Sequence, residues 1–311
     1  MKLTTSELRA LVLLAKKEKA RVAAMARQLG APESNTSRVL ALLKEKGFTS
    51  AEKTGLSKAL SLSNTRHAAL LRKLILGFEH IRFDQLLSGA SLEVLSTICC
   101  LRLKNRKEMR QNSLVSEVSV ARSLENLKRL GIVQKKDSLY SLSLRFSTLS
   151  EFVIEFRHYL NDKTALNFAK DAVMLWECNH EFIIETEKSK EEDGFRMTGL
   201  SVFNKYGISL IIQKSYYFHS PFKNKLRLED VILHSILVPS THRNILATLL
   251  VWKKNQKRVD KEYMQQEATR YGIANNVNDI IDYFESKGGK RKEGFPTWNE
   301  FVTKAKEYGL A

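Results

Sequence analysis

Two segments of the chain carry hydroxyl, amide and basic side chains at a spacing that can contact the bases and phosphates of duplex DNA from one face of a helix. The segments are "SNTSRVLALLKEKGF" (34–48) and "SVARSLENLKRLGIV" (119–133). An arginine binds guanine through two hydrogen bonds, and small polar side chains exchange hydrogen bonds with base edges. The predicted contact residues are Ser34, Asn35, Ser37, Arg38 and Lys44 in the first segment, and Ser119, Arg122, Ser123, Asn126 and Arg129 in the second.

The two segments are copies of each other, 84 residues apart. The shift aligns Gly47 with Gly131, Arg38 with Arg122, Leu40 with Leu124, Leu43 with Leu127 and Lys44 with Lys128. It also aligns Leu8 with Leu92 and Met25 with Met109, well before the segments begin. The repeat therefore covers a whole structural unit rather than one helix.

Each copy is predicted to form three helices followed by a two-stranded hairpin. The predicted helices are 4–17, 20–30 and 34–47 in the first copy, and 91–103, 106–118 and 117–130 in the second. The hairpins are 48–63 and 132–143, and the second is four residues shorter, which predicts a tighter tip. This order is that of a winged helix-turn-helix, in which the third helix enters the major groove.

Residue type predicts which face of each third helix is buried. The apolar side chains expected to face inward are Val39, Leu40, Leu42 and Leu43 in the first copy, and Val118, Ala121, Leu124, Leu127 and Leu130 in the second. On the hairpins, Lys53 and Lys58 and then Lys135 and Lys136 are predicted to contact phosphates.

The charge of the chain favours a polyanionic partner. The net charge is +17, and residues 1–160 hold 28 basic and 14 acidic residues, which gives +14. The half with the repeat therefore carries most of the electrostatic signal. No run of 18 apolar residues and no apolar leader is present, so neither a membrane partner nor a signal peptide is expected. The three cysteines show no metal-ligand spacing and indicate reduced thiols in a cytoplasmic protein.

The residues outside the two copies predict a connector, a link and a further domain. The predicted domains are 1–63, a helical connector at 64–87, 88–145, linking helices at 146–179 and a C-terminal domain at 180–311. A connector helix packed on both copies would hold two reading heads, the winged helix-turn-helix units of the two copies, about 34 Å apart. A flexible connector would only raise the effective concentration of one head at the DNA once the other is bound. The link is predicted as two helices broken near Asn161–Asp162.

The C-terminal domain is predicted to be α+β. Strands are expected at 180–187 and 215–221, and 195–212 is expected as a short helix followed by a strand. Further helices are expected over 226–238, 241–255, 260–272 and 277–288, with another at the end of the chain. The fold class predicted for the whole chain is mainly α, with small β wings and this α+β domain.

The first half resembles the MarR-like winged-helix transcription regulators of archaea and bacteria. The resemblance rests on "ARQLGAPESNTSRVLALLKEKGF" and "LVSEVSVARSLENLKRLGIVQKKDSLYSLS" and covers about residues 1–145. It implies binding to duplex DNA with the third helix in the major groove and the wing near the minor groove or backbone. It assigns that role to Ser37, Arg38, Arg122 and Ser123.

A second resemblance concerns residues of about 180–255. The segments "TGLSVFNKYG", "YYFHSP" and "LRLEDVILHSIL" are similar to the C-terminal half of AbiEi-type antitoxins and, more faintly, to nucleotidyltransferase-fold proteins. AbiEi-type proteins pair one winged helix with such a domain, bind their own promoter and antagonise a nucleotidyltransferase partner, the toxin. The resemblance implies an antitoxin-like autorepressor with a toxin-like protein partner, although this chain carries two winged helices.

An enzyme is the alternative from another class. The carboxylates considered for metal-dependent catalysis are Glu185 and Glu187 with Lys188, and Glu229 and Asp230 with His234; the histidines considered for zinc are His219, His234 and His242. The nucleotidyltransferase pattern GSxxxGxxxxSDxD, a Walker loop and GxGxxG do not occur in the sequence. No catalytic residue, metal or cofactor is therefore predicted. A non-specific architectural DNA-binding protein is a third interpretation, and a homodimer stays open.

Overall fold

The fold is described from a computed structural model that covers residues 1–54, 57–101, 105–192, 194–239 and 241–310. The side chains of residues 53, 54, 57 and 58 are outside this description. The chain is mainly helical with small antiparallel sheets, as predicted, and it divides into unit 1 (Met1–Asn161) and unit 2 (Asp162–Ala311). None of the described helices combines the length and the apolar character that crossing a bilayer requires.

The first copy forms three helices and a hairpin. They are α1 (Thr5–Lys16), α2 (Val22–Leu29), α3 (Glu33–Glu45), β1 (Thr49–Thr54) and β2 (Ser57–Leu62). Helix α1 starts at a capping box, in which the Thr4 hydroxyl accepts from the Glu7 amide and the Glu7 carboxylate accepts from the Thr4 amide. Helix α2 ends at Gly30, whose φ of 63° is the left-handed conformation that glycine adopts at helix ends.

The predicted connector is not one helix. It forms α4 (Arg66–Gly77) and the short α5 (Phe83–Leu86), with the interruption after Gly77. The second copy follows as α6 (Ser91–Cys100), α7 (Arg106–Gln111), α8 (Glu117–Arg129), β3 (Val133–Lys136) and β4 (Leu139–Leu142). The bounds of α3 and α8 coincide at the shift of 84 residues, so the two copies agree in structure as well as in sequence.

The same three positions of the third helix are buried in both copies. They are Thr36, Leu40 and Leu43 in α3, and Val120, Leu124 and Leu127 in α8. These positions lie four and three residues apart, which places them on one stripe of a helix. The expected inward face was therefore wrong at Val118, Leu130 and Leu42, which are 58%, 47% and 41% exposed.

Both copies and the connector share one hydrophobic core. It includes Leu11 and Leu40 from the first copy, Leu71 from α4, Leu95 from the second copy and Phe152 from α9 (Ser147–Phe168). A continuous core fixes the elements that contribute to it, so unit 1 holds its two third helices in a set relation.

Unit 2 combines an antiparallel sheet with five α-helices among its described residues. The strands are β5 (Val173–Cys178), β6 (Glu181–Thr186), β7 (Phe195–Met197) and β8 (Ser215–His219), in the order β5-β6-β8-β7. The helices are α10 (Leu228–Leu237), α11 (His242–Asn255), α12 (Lys261–Tyr271), α13 (Ala274–Glu285) and α14 (Trp298–Glu307), with a 3₁₀ helix at Gly199–Tyr206.

Four sequence predictions between residues 147 and 212 are wrong. Residues 195–197, expected in a short helix, form strand β7. Helix α9 runs without a break through Asn161–Asp162, because these are weak helix formers rather than breakers and Asn161 is buried. Residues 173–178, expected in the second linking helix, form strand β5. Residues 208–212, expected as a strand, form no regular element. The predicted strands at 180–187 and 215–221 are confirmed by β6 and β8.

Candidate nucleic-acid interface

The outer face of α3 is polar and open. The side chains of Ser34, Asn35, Ser37, Arg38 and Lys44 are all exposed, as predicted. In the described part of the chain, neither Arg38 nor Lys44 forms an ion pair. The face therefore offers an uncompensated guanidinium and an uncompensated ammonium group together with small hydrogen-bonding groups.

The outer face of α8 carries more charge and uses part of its polar groups internally. Arg122 and Arg129 are exposed, and Arg129 donates to the Asn126 side-chain oxygen at 3.0 Å. The Ser119 hydroxyl lies 3.0 Å from that of Ser116, the residue that caps α8. Ser119 and Asn126 are half-buried, whereas their equivalents in α3, Asn35 and Leu42, are exposed, and of those two only Asn35 is polar.

The prediction that Ser123 lies on the outer face of α8 is wrong. It is only 8% exposed, because it follows the buried stripe of α8 and points toward the core side. Its equivalent in the first copy is Val39, which is half-buried. The role that the MarR-like resemblance implied for Ser123 therefore does not fit its position.

Val118 is an outer-face residue that the sequence prediction missed. It stands at the position of Ser34 in the repeat and is one of the most exposed apolar residues of unit 1. An apolar side chain at the start of such a helix can contact the methyl group of thymine. The repeat alignment predicts this position, because it pairs Val118 with the outward Ser34, whereas the apolar residue type predicts a buried one.

The two hairpins differ in strand length rather than at the tip. Strands β1 and β2 have six residues each, and β3 and β4 have four. Only residues 55 and 56 separate the paired Thr54 and Ser57, and only Asp137 and Ser138 separate Lys136 and Leu139. The shorter second hairpin is confirmed, and the tighter tip is not, because the missing residues come from the strands.

The wing lysines can be placed only in the second copy. Lys135 and Lys136 are exposed, and the Lys135 ammonium lies 5.8 Å from the centre of the Tyr140 ring. The side chains of Lys53 and Lys58 lie outside the described residues. The second hairpin turns at Asp137 and Ser138, whose φ values of 48° and 68° are both positive. Such values are typical of two-residue hairpin turns whose backbone twist fits the right-handed twist of the flanking strands.

Ion pairs hold the turn before α8. Glu117, the first residue of α8, lies 3.1 Å from Arg110 and 3.7 Å from Arg106, both in α7. The first copy has Val22 and Ala26 at the positions of these arginines, so its turn lacks such pairs. Exposed pairs contribute only about 0.2–1 kcal/mol each. Their main effect is therefore to fix the conformation of the turn, and they add little to the stability of unit 1.

A histidine behind α3 is held neutral. His67 of α4 is buried against the edge of Phe48, with ring centres 4.6 Å apart, and its Nε2 lies 3.1 Å from the Lys46 carbonyl oxygen. Burial lowers the pKa of His67 to about 4, and the hydrogen bond to Lys46 opposes this only in part. A protonated imidazole is therefore incompatible with this packing near neutral pH.

Unit 2 contains a buried network of charged groups that the sequence reading missed. The Lys223 ammonium donates to Asp230 at 2.8 Å and to Glu267 at 2.5 Å. Arg270 donates to Glu267 at 2.7 Å and also pairs with Glu181. No spacing in the sequence marks this network, because its members come from distant positions: β6, the loop residue Lys223, α10 and α12.

The charged groups of the network are paired with one another, which does not favour a reactive site. Burial alone would lower the pKa of Lys223, but the Asp230 and Glu267 carboxylates raise it above the ordinary lysine value. Burial raises the pKa of Tyr271 and holds the pKa of His234 well below its usual range, so both are neutral. Each cation faces carboxylates, which is how buried charges are stabilised in a folded chain.

The carboxylates and histidines considered for catalysis are not brought together. Glu185 lies 3.4 Å from Lys214, and Lys188 pairs with Glu192 at 2.5 Å. Asp230 accepts from the Arg227 amide at the start of α10, a capping role. Among the described residues, no group of three His, Cys, Asp or Glu side chains could hold a metal ion.

The three histidines considered for zinc, which the sequence did not predict as ligands, lie in separate surroundings. His219 stacks on Phe182 with ring centres 4.5 Å apart, and His234 is fully buried against Phe218 at 4.2 Å. His242 is exposed at the start of α11, with Glu300 3.9 Å away. Nothing in this arrangement favours zinc binding.

Comparison with protein families finds a match in unit 2. A family model described as HVO_2833_C, C-terminal, matches residues 192–310. The matched region contains α10 to α14 and most of the buried network, and its description names no ligand or activity. No curated protein matches the chain at a significant level.

Proposed function

We propose that the protein is a sequence-specific regulator of transcription that binds duplex DNA through two winged helix-turn-helix units in unit 1. The observation that carries the proposal is the duplicated third helix. Helices α3 and α8 have the same bounds at the repeat shift, bury the same three positions and leave equivalent basic residues exposed on their outer faces. A merely structural helix pair has no reason to keep an exposed arginine and an exposed lysine at equivalent positions, as Arg38 and Arg122 and then Lys44 and Lys128 are.

The side chains on the two faces are suited to two kinds of DNA contact, one with bases and one with phosphates. Arg38 and Arg122 occupy equivalent exposed positions and are suited to guanine, while Val118 is suited to thymine. Lys44, Lys135 and Lys136 are suited to phosphates, which supply most of the affinity of such proteins and none of the sequence choice.

The shared core of unit 1 supports a fixed pair of reading heads. Two half-sites presented by a rigid body are expected about one helical turn apart, roughly 34 Å along the duplex. The flexible alternative would tolerate any spacing within reach of the connector. The core residues contributed by α4 favour the rigid arrangement.

Unit 2 is assigned a regulatory role within this proposal. Its resemblance to AbiEi-type antitoxins favours a cytoplasmic autorepressor whose C-terminal domain binds a toxin-like protein or a second copy of the chain. The closed network in unit 2 gives no support to the enzyme alternative, since its cations and carboxylates already neutralise each other.

The test is selection of bound duplexes from a random pool, followed by titration of three variants. Arg38→Ala and Arg122→Ala should each weaken binding to the selected site by about 5- to 150-fold, while random DNA loses far less. Arg72→Ala removes an exposed arginine of α4 and serves as the matched control.

Two results would count against the proposal. A pool that yields no preferred sequence, with equal losses on selected and random DNA, would leave only architectural binding. An affinity that does not fall with salt would exclude phosphate contacts altogether.

A further inference from the structure

A groove of about 520 Å³ lies in unit 1 between the connector and the second copy. It is bounded by the segment around α5, the end of α8 and the residues after β4. Its volume is within the range of small-molecule sites, about 300–1,000 Å³. The lining residues that matter here are Phe78, Arg82, Asn126, Arg129, Arg145 and Phe146.

The rim of the groove is cationic. Arg82, Arg129 and Arg145 line it, and no carboxylate among the described residues does. The carboxylate nearest to Arg82 is that of Asp84 at 3.4 Å, which Arg9 also contacts at 3.4 Å. Arg129 and Arg145 have no carboxylate partner in the part of the chain that the structure describes. The groove therefore has spare positive charge.

The floor of the groove is apolar. Phe78 stacks on Phe146 with ring centres 5.3 Å apart, and the buried side chains of Leu86 and Ile132 lie beside them. Leu130, nearly half exposed, forms part of the wall. A bare inorganic anion would leave this apolar surface unused, so the groove fits a ligand with an anionic group on a larger, apolar or planar body.

We propose that this groove binds a small organic phosphate of nucleotide size. The fork of an arginine side chain matches the geometry of phosphate oxygens, and three arginines line this groove. The aromatic and aliphatic floor contacts the organic body, and the amide groups of Gln85 and Asn126 can exchange hydrogen bonds with its polar edge.

The site also provides a means of regulation, and this part rests on the proposed function. Asn126 and Arg129 belong both to the groove and to the outer surface of α8. A phosphate bound at Arg129 neutralises a cation that would otherwise face the DNA backbone. Occupancy of the groove should therefore lower the affinity of the second reading head for DNA.

The first experiment titrates the full-length protein with the fluorescent nucleotide mant-ADP. Saturable binding is expected, and the double variant Arg82→Gln/Arg145→Gln should weaken it by about 10-fold or more, because each arginine supplies charge-assisted hydrogen bonds. Lys73→Gln makes the same kind of charge change on the exposed side of α4 and should leave binding unchanged.

A second variant guards against an effect of misfolding. Leu130→Glu places a carboxylate at an exposed wall position, where folding tolerates it, and should also abolish mant-ADP binding. The proposal is overturned if binding is not saturable, if it survives both changes, or if inorganic phosphate displaces mant-ADP as well as unlabelled ADP does.

The second experiment repeats the DNA titration with and without saturating ADP. ADP should weaken binding to the selected duplex, and Arg145→Gln should remove that effect. Binding of mant-ADP by a protein that never binds DNA would refute the proposed function and leave the nucleotide site standing. DNA binding without any mant-ADP signal would refute the nucleotide site and leave the proposed function standing.

Discussion

Gly47 and Gly131 end the third helices of the two copies, and their surroundings predict unequal responses to the same substitution. Both have left-handed backbones, with φ values of 74° and 66°. An alanine there costs about 1–2 kcal/mol in either copy, because an L side chain crowds the following carbonyl in that conformation. This common cost makes the pair a matched comparison.

The added methyl group meets different neighbours in the two copies. At Gly47 it would lie 2.7 Å from the Tyr159 hydroxyl oxygen and 2.8 Å from the Tyr159 ring carbon Cε2. That ring is braced by His67, with ring centres 4.6 Å apart. At Gly131 the near neighbour is the end of the flexible Arg145 side chain at 3.0 Å. Overpacking against a braced ring costs about 1–3 kcal/mol, whereas the arginine can move away.

Gly47→Ala should therefore destabilise the protein by about 2–5 kcal/mol, and Gly131→Ala by about 1–2 kcal/mol. The assay is thermal unfolding followed by far-ultraviolet circular dichroism, in which each kcal/mol corresponds to about 2–4 °C for a unit of this size. Tryptophan fluorescence reports unit 2 separately, since Trp176, Trp252 and Trp298 all lie there. Equal losses in the two variants, or a larger loss for Gly131→Ala, would refute the packing argument.

Three further predictions concern the same unit. The folded-state pKa of His67 is about 4, below the ordinary value of 6.5, so its contribution to stability is complete above pH 6.5 and is lost as the pH falls toward 4. The wild type should lose more stability than His67→Gln over this interval. Parallel curves of stability against pH for the two proteins would contradict the assignment. Ser123→Ala should leave DNA affinity within about twofold, because the side chain is buried, and a loss as large as that of Arg122→Ala would restore Ser123 as a contact residue. Val118→Ser should change the base preferred in one half-site of the selected duplex while leaving the salt dependence of binding unchanged, and an altered salt dependence would indicate a general electrostatic effect instead.

The repeat made the third helices the most predictable part of the fold. Leucines at helical spacing, followed by a glycine in both copies, placed α3 and α8 correctly. The orientation of α8 was less predictable, because Val118 and Leu130 are apolar and yet exposed, while Ser123 is polar and yet buried. Transferring the first copy's outward positions through the alignment, position by position, would have placed Val118 and Ser123 correctly.

Other features could not be read from local sequence. The dipeptide Asn161–Asp162 has low helix propensity, but tertiary packing carries α9 through it. The apolar run at 173–178 fits a short helix segment or a strand equally well, and its pairing with β6 decides between them. The Lys223–Glu267–Arg270 network depends on long-range contacts, which no motif spacing reveals.

The duplication within one chain has a consequence for the kind of operator the protein can recognise. A symmetric dimer must present two identical surfaces and therefore selects a palindrome. Here the equivalent outer positions have diverged, because Ser34 of the first copy aligns with Val118 of the second, and Ala41 aligns with Glu125. Under the proposed function the preferred site would be asymmetric, and a single bound molecule would distinguish upstream from downstream on the DNA.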